Sequence, residues 1–180
     1  TPKIEDGIDN CIEEFSNEND WDGHFNFEEK AETWLHPKNW ENEEGLEAWF
    51  EIDCTESDDD DNYWLALFCN KASNNCEAGF FFDVETKNFG GKRAWDAHLK
   101  SIPEEQKASL KEIGFKQFKG RFFLPLTLCN EELAKSWQAE DPFTPDDECF
   151  APLRDALEKL KQSAPIFEAI MKSALASKIS

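Results

Sequence analysis

Leu46-Glu-Ala-Trp-Phe-Glu-Ile-Asp-Cys54, Tyr63-Trp-Leu-Ala-Leu-Phe-Cys69 and Gly79-Phe-Phe-Phe-Asp-Val-Glu-Thr-Lys87 are three successive apolar runs, each of strand length. Aromatic and β-branched side chains suit a pleated, half-buried surface, so each run reads as a strand. The first two are joined by the polar stretch 55–62, which carries four consecutive aspartates. The third is entered from the turn-rich Ser73-Asn-Asn-Cys76. Short connections favour antiparallel neighbours, and the reading is a three-stranded meander at the centre of the fold.

Towards the C-terminus, Asn88-Phe-Gly-Gly91 breaks the strand pattern and residues 95–100 suit a short helix. Pro103, Glu104, Glu105 and Gly114 fit the first turn and the stop of a helix over about 103–113. Phe115 to Phe118 and Arg121 to Leu128, separated by Lys119-Gly120, read as a hairpin. Pro125 lacks an N–H and therefore suggests an edge or a bulge there. Asn130 suits the cap of a helix to about residue 138, and Asp141-Pro-Phe-Thr-Pro145 reads as a rigid loop. Two further helices, 151–162 and 165–176, are predicted with Pro165 dividing them.

Towards the N-terminus, Ile4, Ile8, Ile12 and Phe15 share one helical face, which places a helix around 9–15. Residues 16–23 read as a polar turn. Asn26 then caps a second helix over 27–35, ended by His36-Pro37. The expectation is an α+β protein: an antiparallel sheet of about four to five strands, with N-terminal and C-terminal helices packed on it. One domain spans 1–180, with an acidic helical N-terminal third (1–61), a strand-rich middle (45–128) and a helical C-terminus (130–177). No repeat or low-complexity linker marks a boundary.

The charge is regional. Residues 1–61 carry 22 acids against Lys3, Lys30 and Lys38, whereas residues 62–180 carry 17 acids against 16 basic residues. Such a field repels nucleic-acid phosphates and anionic lipid, and draws basic partners over about a Debye length. Direct nucleic-acid binding by this third is excluded on that ground. No stretch approaches the roughly 20 apolar residues of a membrane span, and residues 1–10 lack the layout of a secretory signal. The chain reads as soluble, without membrane contact, and cytoplasmic. Its six cysteines include no Cys-x-x-Cys pair and read as reduced thiols.

Chemistry-bearing motifs are sparse. The loop Glu56-Ser-Asp-Asp-Asp-Asp61 offers oxygen ligands, Asp58 and Asp60 foremost, but lacks the glycine and distal glutamate of an EF-hand loop. A solvated hairpin tip is the plainer reading. On the third run Asp83, Glu85 and Lys87 alternate with apolar residues and would share one strand face. With Asp61 at an earlier strand start, Glu85-x-Lys87 resembles the metal-dependent PD-(D/E)xK nuclease motif, in which carboxylates hold a metal and the lysine positions water. Against it stand the missing Pro-Asp and the acidic front. His24, His36 and His98 show no metal-ligand spacing. No serine or cysteine nucleophile motif is present, and Asn88-Phe-Gly-Gly-Lys-Arg93 fails the Walker spacing, so no cofactor is called for.

Eight basic residues between Lys92 and Arg121, against four acids, are expected to offset the acidic third within the fold. The acidic third also interleaves Phe15, Trp21, Phe25, Phe27, Trp34, Trp40, Trp49 and Phe50 with its carboxylates. Aromatic anchors ringed by charge combine steering with affinity at protein interfaces.

The expectation is therefore a non-catalytic interaction module that docks a basic protein surface. The class in view is inhibitors, immunity proteins and anti-restriction proteins that imitate nucleic-acid charge, with a nucleic-acid-handling enzyme or toxin as partner. The contact set is Asp20, Trp21, Asp22, Glu28, Glu29, Glu32, Glu41, Glu43, Glu44, Glu56, Asp58, Asp59, Asp60 and Asp61. The alternatives are a metal-dependent phosphodiesterase using Asp61, Glu85 and Lys87, and an accessory or sensory domain of a larger assembly.

Overall fold

A computed structural model describes residues 4–55, 64–71 and 76–179. Helix α1 (Ile4–Glu18) buries Ile4, Ile8, Cys11, Ile12 and Phe15, the stripe its spacing predicts, and extends beyond the expected 9–15 at both ends. Strand β1 (Trp21–Asn26), the single helical turn α2 (Phe27–Lys30) and strand β2 (Glu32–Pro37) follow. These elements correct the reading of 27–35 as a helix and of 16–23 as only a turn. Ala31 takes a left-handed conformation (φ 51°) that ends α2, and Thr33, Trp34 and Leu35 continue as strand, where a β-branched and an aromatic residue pack well.

A short 3₁₀ turn (Lys38–Trp40) leads to the small hairpin β3 (Glu41–Asn42) and β4 (Gly45–Leu46), then to β5 (Ala48–Cys54). The run expected as the second strand of the meander is instead a helix, α3 (Trp64–Phe68). Its Leu-Ala-Leu core has high helix propensity, and Leu67 and Phe68 turn inward while Leu65 faces solvent. β5 therefore pairs directly with β6 (Ala78–Val84), from Ala48↔Val84 to Cys54↔Ala78.

After a 3₁₀ turn (Thr86–Phe89) come α4 (Lys92–Lys100), α5 (Glu104–Ile113), the hairpin β7 (Lys116–Phe118) and β8 (Arg121–Pro125), and α6 (Asn130–Trp137). Gly114 ends α5 as its sequence suggests. Pro125 is the last residue of β8, opposite Gly79; Leu126 N–H still donates to the Ala78 carbonyl at 2.9 Å, so the missing N–H of Pro125 lies on the side away from β6, past the end of the β7 pairing. The edge strand on this side of the sheet is β7.

A 3₁₀ turn (Glu148–Phe150) opens the 29-residue helix α7 (Ala151–Ile179), unbroken at Pro165. Two helices divided there were expected. Leu153, Leu157, Leu160, Ala164, Phe167, Ile170 and Ala174 form one continuous buried stripe, and burying it holds the helix together across the proline.

The six-stranded antiparallel sheet has the order β1-β2-β5-β6-β8-β7. Helices at both ends of the chain pack on it, giving an α+β fold. Strand alternation sorts the side chains: Leu35, Ala48, Phe50, Ile52, Phe80, Phe82, Phe122 and Leu124 face the helices and join one core. Phe167 of α7 closes that core, stacking on Phe82 at 3.9 Å and meeting Phe50, Phe115 and Phe122 edge-on. Among the described residues no helix is long and apolar enough to cross a membrane.

Candidate docking site

The described members of the expected contact set gather around the β1–β2 hairpin. Asp22 and Glu32 stand on its outward face, on partner strands. Glu28 and Glu29 cap one end through α2, while Asp20, Glu41, Glu43 and Glu44 lie at the other end, where Trp21 pairs with Pro37. All eight are exposed. Lys38 answers Asp20 at 3.1 Å, and His24 stands 4.0 Å from Glu32. Glu56, Asp58, Asp59, Asp60 and Asp61 lie outside the described residues.

Helix α1 packs beside this hairpin and adds exposed Glu13, Glu14 and Glu18. Glu18 is the last residue of α1 and its last turn carries no cation. An acid there is repelled by the partial negative charge of the helix C-terminus, typically by a few tenths of a kcal/mol, so the placement of Glu18 is electrostatically unfavourable to the fold.

Trp21 is a correction. It is 6% exposed and sits edge-on to Phe15 at 5.4 Å and parallel to Phe50 at 5.9 Å, so it is core and not an anchor. Phe15, Phe27, Trp40 and Phe50 are likewise buried. Trp40 donates its indole N–H to Glu168 at 3.0 Å, tying the β3–β4 hairpin to α7. Of the eight interleaved aromatics, Phe25, Trp34 and Trp49 remain partly exposed, and the two tryptophans face away from the helices.

That outward face is a mosaic that the sequence reading did not assemble. Trp34 stacks against His24 at 5.8 Å and His36 at 5.9 Å and lies directly across from Glu51. Trp49 donates its indole N–H to Glu51 at 3.4 Å, and Asp53 follows two residues on. Glu51 is raised above the ordinary carboxylate range, first by burial and then by Asp83 and Asp53, against the indole hydrogen bond and Arg121. Further across, Phe81 stacks on Phe123 at 5.1 Å, Arg121 lies 4.2 Å over Phe81 and grips both oxygens of Asp83 at 3.0 and 2.5 Å. The signal was legible as alternation: in 48–54 every second residue, Trp49, Glu51 and Asp53, belongs to this face.

Asp83, Glu85 and Lys87 do not share a strand face, because β6 stops at Val84 and a 3₁₀ turn takes over. Glu85 stands 3.9 Å from Lys87 at that exit, and Asp83 is occupied by Arg121. Among the described residues no three His, Cys, Asp or Glu side chains form a group able to hold a metal ion. Among the described residues, four members of the basic segment, Lys92, Lys107, Lys116 and Arg121, pair with Asp96, Glu104, Glu77 and Asp83, all outside the acidic third.

One hydroxyl–imidazole pair escaped the sequence reading. Ser173 Oγ is 2.9 Å from His98 Nε2, but the same nitrogen is 3.0 Å from the Ile170 carbonyl, to which the hydroxyl also donates. A ring nitrogen donating to a carbonyl is not a base towards the serine, and the pair clasps α4 to α7. The described cysteines are free thiols, and burial pushes Cys11 up to about 12. Compared with known protein families, curated proteins and solved structures, the chain matches none.

Proposed function

We propose that the protein is a non-catalytic acidic module that docks a basic surface of another protein, in the manner of inhibitors and immunity or anti-restriction proteins that substitute for nucleic-acid charge. The observation that carries the reading is the grouping of eight exposed carboxylates on and around the β1–β2 hairpin, with Lys38 the cation paired among them. Five steps along β1 span about 17 Å, a length over which duplex DNA carries about ten phosphates. The eight carboxylates cover that length and extend past both of its ends, a density below that of duplex DNA and of the same sign. Glu18, in the last turn of α1 where it opposes the helix dipole, supports the same reading, since its cost to the fold calls for a benefit elsewhere.

Capture of partners from lysate at low and at moderately high salt, with identification of what elutes and a duplex-competition assay on it, tests the proposal. The expected partner is basic, is released by salt, and loses bound duplex as this protein is added. Replacing Glu28, Glu29, Glu43 and Glu44 by glutamine should weaken that competition. A neutral or acidic partner, or one whose duplex is undisturbed, would sink the reading.

A further inference from the structure

The sheet carries on its outward face a complete arginine site and, beside it, a similar set of aromatic and carboxylate side chains with no Lys or Arg of its own: His24 and His36 stack on Trp34, and Arg121 acts on Glu51 only from the neighbouring site. In the complete one, Arg121 lies over the Phe81 ring and forks both oxygens of Asp83. One strand away, on β5 and β2, Trp34 and Trp49 flank Glu51, with Asp53 next on the same face. Among the described residues neither Glu51 nor Asp53 has an ion-pair partner; Asp53 accepts only the neighbouring Cys54 N–H. The outward side chains of β1, β2 and β5 include Asp22, Glu32, Glu51 and Asp53 and no Lys or Arg.

A guanidinium is planar, stacks on an indole and donates in a fork that suits a carboxylate. An ammonium does neither in the same pose. Trp34 and Glu51 are cross-strand neighbours on one face, about 5 Å apart, and the Trp49 indole N–H already meets Glu51 at 3.4 Å, so one guanidinium on either ring reaches Glu51 without displacing the backbone. The half-buried position of Glu51 strengthens the attraction, because a cation arriving there is less screened than at the exposed rim.

We infer that the outward face of β2 and β5 receives an arginine side chain of the basic partner, stacked on Trp34 or Trp49 and bound by Glu51 and Asp53. This rests on the reading of the protein as a module for a basic surface and names the face and the residue type that it takes. The exposed acids at the hairpin ends then steer the partner, and the tryptophan face selects arginine over lysine.

The test is a titration of the intact protein with a deca-arginine and, separately, a deca-lysine peptide, followed by NMR of the indole N–H resonances. Trp34→Phe and Trp49→Phe assign those two signals. The expected result is that the arginine peptide shifts the Trp34 and Trp49 indoles, leaves those of buried Trp21, Trp40 and Trp95 in place, and binds about fivefold more tightly than the lysine peptide. Glu51→Gln, which keeps the acceptor for Trp49, should remove that preference while leaving the fold's spectrum intact. Equal affinities with shifts confined to the amides around Glu28, Glu29, Glu43 and Glu44 would overturn this face and leave the acidic-module reading standing. Binding of neither peptide would overturn both. Shifts of the same two indoles on concentrating the protein alone would assign the face to a second copy and overturn the arginine assignment.

Discussion

Glu51 shows how a single side chain links stability to pH. Burial holds its carboxyl above the ordinary value in the folded protein, with Asp83 and Asp53 adding to the effect. The folded state therefore keeps the proton to higher pH than the unfolded chain. The stability that goes with protonation is fully present below the unfolded value and is lost as pH rises through the folded one. Glu51→Gln is uncharged throughout, so its urea midpoint should exceed the parent's at neutral pH, and the difference should shrink as the pH is lowered into the carboxylate range. A variant less stable than the parent at pH 7 would contradict this. Asp9 is raised in the same direction, burial outweighing the bonds it accepts from Phe27 N–H and the Thr33 hydroxyl. Of these residue-level facts only the alternation along 48–54 was readable in advance. The capture of Asp83 by Arg121, 38 positions away, needed the pairing of β6 with β8.

At the level of elements, legibility followed the strength of the local signal. The α1 stripe, the Pro103-to-Gly114 frame of α5 and the β7–β8 hairpin carry periodicity or punctuation, and each forms close to its expected place. Residues 27–35 and 63–69 were misread for opposite reasons. In the first, acids behind Asn26 imitate a helix start, but the edge pairing of β1 with β2 claims Thr33 to Leu35. In the second, an apolar run too short for its period to decide was assigned to strand. Pro165 reads locally as a break because its ring removes one helical hydrogen bond, yet the buried stripe on either side outweighs that local cost. Pro165→Ala should therefore raise stability, by about 1–3 kcal/mol in urea unfolding, with no change in helix content by circular dichroism. A loss of stability would mean that the proline sets a bend on which the packing of Phe167 depends.

For the whole molecule, the dominant electrostatic fact is self-repulsion within residues 1–61, which hold 22 of the chain's 39 acids and only three cations. Raising ionic strength from about 0.01 to 0.1 M shortens the Debye length from about 30 to 10 Å. The thermal midpoint should therefore rise by a few degrees over that range, while affinity for a basic partner falls. A midpoint that is flat or falling with salt would show that the acids are already neutralised within the fold. The architecture also imposes an order on biosynthesis. Among the described residues every strand of the sheet is complete by Pro125, but the ring that closes its core, Phe167, belongs to α7. Until that helix emerges from the ribosome, the nascent chain lacks the ring that completes its aromatic core. Its newly made copies are thus the ones most in need of a chaperone.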